Sequence, residues 1–168
     1  DVCKVLDSAN IAIDRRPNGY DLRASVPLKE LGLKPIAKLK YYTTVGCRPD
    51  EMGVGPAYAI PKLLKLAGMD TKDIGLFEIN EAFASQALYS IRTIGIEDRM
   101  DDINMNGGAI ALGHPLGMSG TRLTHTLLLE LQKRKKRYGL AAACTGGTAV
   151  SAARRSSRSR AATRFPSG

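Results

Sequence analysis

The chain has 168 residues, 43% of them apolar and 5% aromatic, with no tryptophan and a formal charge of +9. That length and apolar share suit one globular domain with a core of Leu, Ile, Val and Ala, and they exclude wholesale disorder. No apolar run approaches the roughly 20 residues of a membrane span, so a membrane-spanning segment is not expected. The first residue is Asp and no signal-peptide pattern follows it, which reads as a fragment or a processed chain. Cys3, Cys47 and Cys144 are odd in number and far apart, against a disulfide scaffold and in keeping with a reducing compartment. No CxxC or His-x-Cys cluster occurs, so no metal site is expected.

Residues 1–26 show turn signals at Pro17, Asn18 and Gly19 but no sustained period. From Pro27 the pattern is regular. A helix closed by Gly32 is followed by a strand from about Ile36 to Val45. In "MGVGPAYAIPKLLKLAG", Pro56 suits a first helical position and Gly68 a C-terminal cap, while Pro61 argues for a helix that starts later than Pro56. "DIGLFEI" (Asp73 to Ile79) predicts a short buried strand. "NEAFASQALYSIRTIG" predicts a helix with Asn80 as its N-cap and Gly95 past its end. "INMNGGAIALG" reads as a strand or extended loop, and the run from Ser119 as a helix capped by that serine. The "KRKKR" run (Lys133 to Arg137) complements this helix's C-terminus. "YGLAAAC" predicts a buried strand, "TGG" a tight turn and "TAVSAA" a returning strand. Helices alternating with short apolar strands define an α/β class, with layered mixed sheet and flanking helices and a partly antiparallel end.

Three polar groups share one setting. Asn80 ends a strand, His114 (one of two histidines) stands in a glycine-rich loop before a helix, and Cys144 ends a strand before a glycine turn. Ligands of open α/β sheets bind at the carboxyl ends of strands. A thiol moves protons or attacks a carbonyl, an imidazole takes a proton or donates to an oxyanion, and an amide orients water. Each residue also has a plainer reading: Cys144 as a small buried apolar group, Asn80 as a cap, His114 as a satisfied structural histidine. "GHPLGMSG" lacks the lysine of a phosphate-binding loop, and "GGAIALG" is not a dinucleotide fingerprint. Spacing alone leaves both readings open.

"NEAFA" (Asn80 to Ala84), "NGGAIALGHPLGMSG" (Asn106 to Gly120) and "CTGG" (Cys144 to Gly147) resemble, in order and spacing, the C-terminal half of the thiolases, as do "MGVGPA" (Met52 to Ala57) and "RYGLAAAC". The resemblance divides the chain into an unmatched segment 1–26, a thiolase-like domain 27–152 and a basic, disordered tail 153–168. It implies a family that transfers acyl groups of coenzyme A thioesters, cleaving 3-ketoacyl-CoA or condensing acyl units. Coenzyme A is then a co-substrate, and no permanently bound cofactor is implied.

In that family a cysteine of the N-terminal half is acylated. The resemblance makes His114 the group that activates it and binds the thioester oxygen. Asn80 would hold a water in the same oxyanion site, and Cys144 would be the second acid/base, acting at the substrate's alpha carbon. Gly146 would offer a backbone N–H to the intermediate's oxygen. Met52, Ala82 and Phe83 match positions lining the acyl and pantetheine channel.

The acyl-accepting cysteine has no match here. Neither Cys3 nor Cys47 has the setting of an activated thiol, so the chain alone is expected to be nearly inactive and to need an N-terminal thiolase half or partner subunit. A thiolase-like subunit that binds acyl-CoA or a partner without turnover is the alternative. Full-length thiolases are homo-oligomers. The tail from Arg154 to Gly168 has five arginines and no acid, which reads first as a solvated end and only remotely as an RNA or membrane anchor. A peroxisome, a mitochondrion and the cytoplasm all remain open as its location, as do reaction direction and acyl chain length.

Overall fold

A computed structural model describes residues 10–16, 19–25, 36–144 and 148–155. Two compact units divide at Ile36. In the first, strands β1 (Asn10–Arg16) and β2 (Gly19–Ser25) form an antiparallel hairpin with Arg16 opposite Gly19. No strand period is legible in these two stretches, and Pro17 and Asn18 between them lie outside the described residues. The helix end expected at Gly32 lies outside the described residues.

The second unit is a four-stranded mixed sheet with helices on both faces. Its strands are β3 (Ala37–Val45), β4 (Leu76–Ile79), β5 (Tyr138–Ala143) and β6 (Thr148–Arg155), in the order β3-β6-β5-β4. β6 runs antiparallel to both β3 and β5, while β4 and β5 are parallel, with Ile79 opposite Ala142. Every residue of β4 is buried, as a parallel strand covered on both faces requires. Alternation along β4 and β5 sends Phe77, Ile79, Leu140 and Ala142 to one face, against helix α1 (Gly55–Ala67) and Ile91 of helix α2 (Ala84–Thr93). Leu76 and Ala141 face the other way, onto Leu123, Leu127 and Leu131 of helix α4 (Leu116–Lys133). A four-residue helix α3 (Ala109–Leu112) precedes α4.

Three expected helix starts are corrected. α1 begins at Gly55, with Pro56 in its first turn, and runs on through Pro61. Burial of Ala57, Ala59, Ile60, Leu63 and Leu64 along one face offsets the hydrogen bond that Pro61 cannot make. The helix closes as expected at Gly68, whose φ is 61°; Gly68 N–H donates to Lys65 O and Met69 N–H to Leu64 O, the pairing of a Schellman closure.

Asn80 is not the cap of α2. That helix opens at Ala84, and the side chain of Gln86 accepts the N–H groups of Ala82 (3.1 Å) and Phe83 (3.5 Å) ahead of it. Asn80 instead prolongs β4, its N–H donating to Ala142 O at 2.8 Å.

Ser119 is likewise inside α4 rather than at its cap. The carbonyl of Pro115 opens the helix by accepting the N–H groups of Met118 and Ser119, both at 2.9 Å. At the far end, the buried Glu130 carboxylate accepts from Lys133 (3.4 Å) and Arg134 (2.9 Å), so the basic run there is anchored to the helix.

Of the strand or extended loop expected at "INMNGGAIALG", the strand part is one parallel bridge between Ile103 and Phe77. The second half of that stretch coils into α3. The buried strand expected from Asp73 is β4, preceded by a 3-10 turn at Thr71–Asp73.

Candidate active site

The parallel pairing of β4 and β5 brings two chain segments out of the sheet side by side. Asn80 leaves β4 and Cys144 leaves β5. Between them in sequence, the loop after α3 delivers His114. Gly113 turns that loop with φ at 89°, a conformation that glycine adopts without strain.

The histidine is held from both ring nitrogens. Nδ1 lies 2.6 Å from Ser119 Oγ, and Nε2 lies 3.4 Å from Asn80 Nδ2. Ser119 O–H donates to the carbonyl of Pro115 at 3.0 Å, and a carbonyl can only accept. The single hydroxyl proton is thus engaged, and the oxygen receives a hydrogen bond from His114 Nδ1–H. This geometry assigns the proton to Nδ1 and leaves Nε2 to face the Asn80 amide. Ser119, read from the sequence as a helix cap, is the residue that fixes this tautomer. A serine five residues after a histidine was the available signal, but nothing in the sequence says which way its hydroxyl turns.

Asn80 is fully buried, and its Oδ1 has no hydrogen-bond partner among the described residues. A buried amide oxygen without a partner costs about 1–3 kcal/mol, so this atom is suited to a small donor such as water. Cys144 is 8% exposed and carries a free thiol. Burial pushes its pKa above the usual thiol value, with a further upward push from Cys47. It is accordingly held as S–H at neutral pH.

Met52, Ala82, Phe83, His114 and Cys144 line one cavity of about 950 Å³, and Ser119 borders it. That volume is within the range that takes small molecules and cofactors. Asn80 stands behind His114. Gly146 lies outside the described residues, as does Cys3. Cys47 does not line this cavity and borders a separate opening with Arg48, Glu51 and Tyr58. Among the described residues, no group of three or more His, Cys, Asp or Glu side chains is placed to hold a metal ion, and no helix is long and apolar enough to cross a membrane.

A layered mixed sheet with helices on both faces is the architecture of a thiolase-like half. The family model described as "Thiolase, C-terminal domain" matches residues 33–154. The 3-ketoacyl-CoA thiolase of Bacillus subtilis is 52% identical over 117 residues, covering 70% of this chain and 29% of that protein. The 3-ketoacyl-CoA thiolase of Colwellia psychrerythraea is 52% identical over 118 residues, covering 70% and 31%.

Among solved structures, human mitochondrial 3-ketoacyl-CoA thiolase superposes with a TM-score of 0.70 at 43% identity, covering 77% of this chain and 32% of that one. The peroxisomal 3-ketoacyl-CoA thiolase of Saccharomyces cerevisiae superposes with a TM-score of 0.69 at 45% identity, covering 76% and 37%. It is described as a five-layered structure constructed from two core domains of identical topology. This chain belongs to the thiolase family, through its C-terminal domain. It spans about 30% of the length of the curated relatives it matches.

Proposed function

We propose that residues 27–152 supply the acid–base part of a thiolase-type acyl-transfer site, acting on 3-ketoacyl-CoA and coenzyme A or in the reverse condensation. The observation that carries this reading is His114, held at Nδ1 by Ser119 and at Nε2 by Asn80, on the wall of the cavity that the Cys144 thiol also lines. A base and an acid facing one cleft are what carbon–carbon cleavage next to a thioester requires.

In the cleavage direction, a cysteine thiol of an N-terminal thiolase half gives its proton to His114 Nε2, and its sulfur bonds to the ketone carbon. The carbon–carbon bond then breaks, and its electron pair passes to the alpha carbon. Cys144 gives that carbon its S–H proton, and acetyl-CoA leaves. Coenzyme A next gives its thiol proton to the Cys144 thiolate and attacks the acyl-cysteine. Acyl-CoA departs, and His114 returns its proton to the released cysteine sulfur.

Throughout, the Asn80 Oδ1 accepts from a water at the oxyanion site of the thioester oxygen, beside His114, and Gly146 N–H serves the oxygen of the acyl-transfer intermediate. Met52, Ala82 and Phe83 take the pantetheine and acyl portions. The same chemistry assigns acyl-CoA thioesters and the other thiolase half as partners, with coenzyme A as co-substrate.

The test is coenzyme A-dependent cleavage of acetoacetyl-CoA. The 168-residue chain alone is expected to give no turnover, and turnover is expected on mixing with an N-terminal thiolase half. Cys144→Ala in the mixture should lower the rate at least about 10²-fold, the scale of general acid–base catalysis. An unchanged rate in that variant overturns the role given to Cys144.

A further inference from the structure

Two segments must stand in fixed register for Asn80 and His114 to meet: the end of β4 with the loop after it, and the loop through α3. Their connection passes through one carboxylate. Glu81, directly after Asn80, accepts Asn104 Nδ2–H at 2.7 Å on one oxygen and Ile110 N–H at 3.3 Å on the other. Asn104 is itself locked to the end of β4. Its Oδ1 accepts Ile79 N–H at 2.8 Å and its Nδ2 donates to Ile79 O at 2.8 Å. The φ of 46° at Asn104 lies in the left-handed region that asparagine tolerates better than most residues. The carboxylate occupies the space a side chain at Gly108 would need: a Cβ built there would fall within the Glu81 carboxyl group. Glycine is the residue that lets the loop backbone come this close.

We propose that Glu81 is a positioning residue that sets His114 against Asn80, with Asn104 and Gly108 as the two sides of its seat. The proposal rests on the acyl-transfer reading of the pair, while its geometry concerns only this chain. Glu81 touches neither His114 nor Ser119 in the hydrogen-bond network. It acts by tying Ile110 of α3, and with it the entry to Gly113 and His114, to the residue next to Asn80. A carboxylate can accept from both donors at once. A carboxamide cannot do so without turning an N–H group toward one of them.

The chain has two histidines, and His125, exposed on α4, is an internal control. Two-bond ¹H–¹⁵N correlation spectra of the folded 168-residue chain, at a pH where both rings are neutral, report which nitrogen of each carries the proton. The parent is expected to show His114 as a single Nδ1–H form. Glu81→Gln and Gly108→Ala disturb the seat from opposite sides, and both are expected to lose that single form while His125 keeps its pattern. Circular dichroism confirms that each variant is folded, and Glu81→Ala serves if either is not.

An unchanged His114 pattern in the folded variants overturns the proposal, whatever the activity. A lost pattern supports it even if no mixture with an N-terminal half cleaves acetoacetyl-CoA, a result that would count against the acyl-transfer reading alone.

Discussion

Glu78 lies two residues before Asn80 on β4, fully buried, with neither carboxylate oxygen hydrogen-bonded among the described residues. Burial raises its pKa to about 7 from 4.5, against the opposing pull of Arg122 and with smaller upward pushes from Glu81 and Glu130. Among the described residues the buried guanidinium nitrogens of Arg122 have no partner either. The folded state therefore holds a proton on Glu78 that the unfolded state has already released. This contribution to stability is complete below the unfolded value, falls as pH rises towards 7, and is gone above it. Glu78→Gln is expected to flatten that slope, by an amount on the order of 3 kcal/mol between mildly acidic and mildly alkaline solution. Urea titrations at the two ends of the range measure it, and parallel slopes in parent and variant would refute it. Nothing in the residues "FEI" announces this group as unusual; its character comes from the helix that α4 lays over it.

Elements were more legible than their ends. The strand at Ala37–Val45, the closure of α1 at Gly68 and the antiparallel return of β6 follow from local pattern. The starts of α1, α2 and α4 do not, because the residues with cap-like or breaker sequence there are used otherwise. Asn80 has the sequence of a cap, yet the neighbouring strand β5 takes its N–H. Ser119 has the sequence of a cap, yet a histidine takes its oxygen. The motifs include Met52, Ala82, Phe83, His114 and Cys144, which line the cavity, but Ser119 and Glu81 beside them look, in sequence, like ordinary helix-start residues.

The seam between α4 and β5 has its own signature at Gly139. A Cβ there would stand 2.8 Å from Leu127 Cδ1 and 2.9 Å from Leu131 Cδ1, both fully buried. Gly139→Ala is expected to lift α4 from the sheet and cost about 1–3 kcal/mol, as overpacking does. Thermal denaturation checks this, and a melting temperature at or above the parent's would show that the helix has room to yield.

At the scale of the whole molecule, large apolar side chains stand open around the cavity. Leu116 is 85% exposed and Phe83 69%, and both line it. Ile110, Leu112 and Met118 are exposed on the adjoining α3 and α4. Exposed large apolar side chains favour association where they adjoin. The 168-residue chain is expected to self-associate with rising concentration, as seen by sedimentation velocity. A single monomeric boundary across the range would argue that these side chains do not form one adhesive surface.

The parallel pairing of β4 with β5 also bears on the order in which the chain can fold. Asn80 and Cys144 become neighbours only when the long crossover through α2, α3 and α4 has closed, a non-local contact whose loop-closure entropy must be met before it is rewarded. Newly made chain carrying the segments up to α4 holds Asn80, Ser119 and His114, but not the thiol. The Cys144 thiol arrives with β5, before β6 is made to complete the sheet, so Asn80 and Cys144 cannot stand side by side until β4 and β5 have paired.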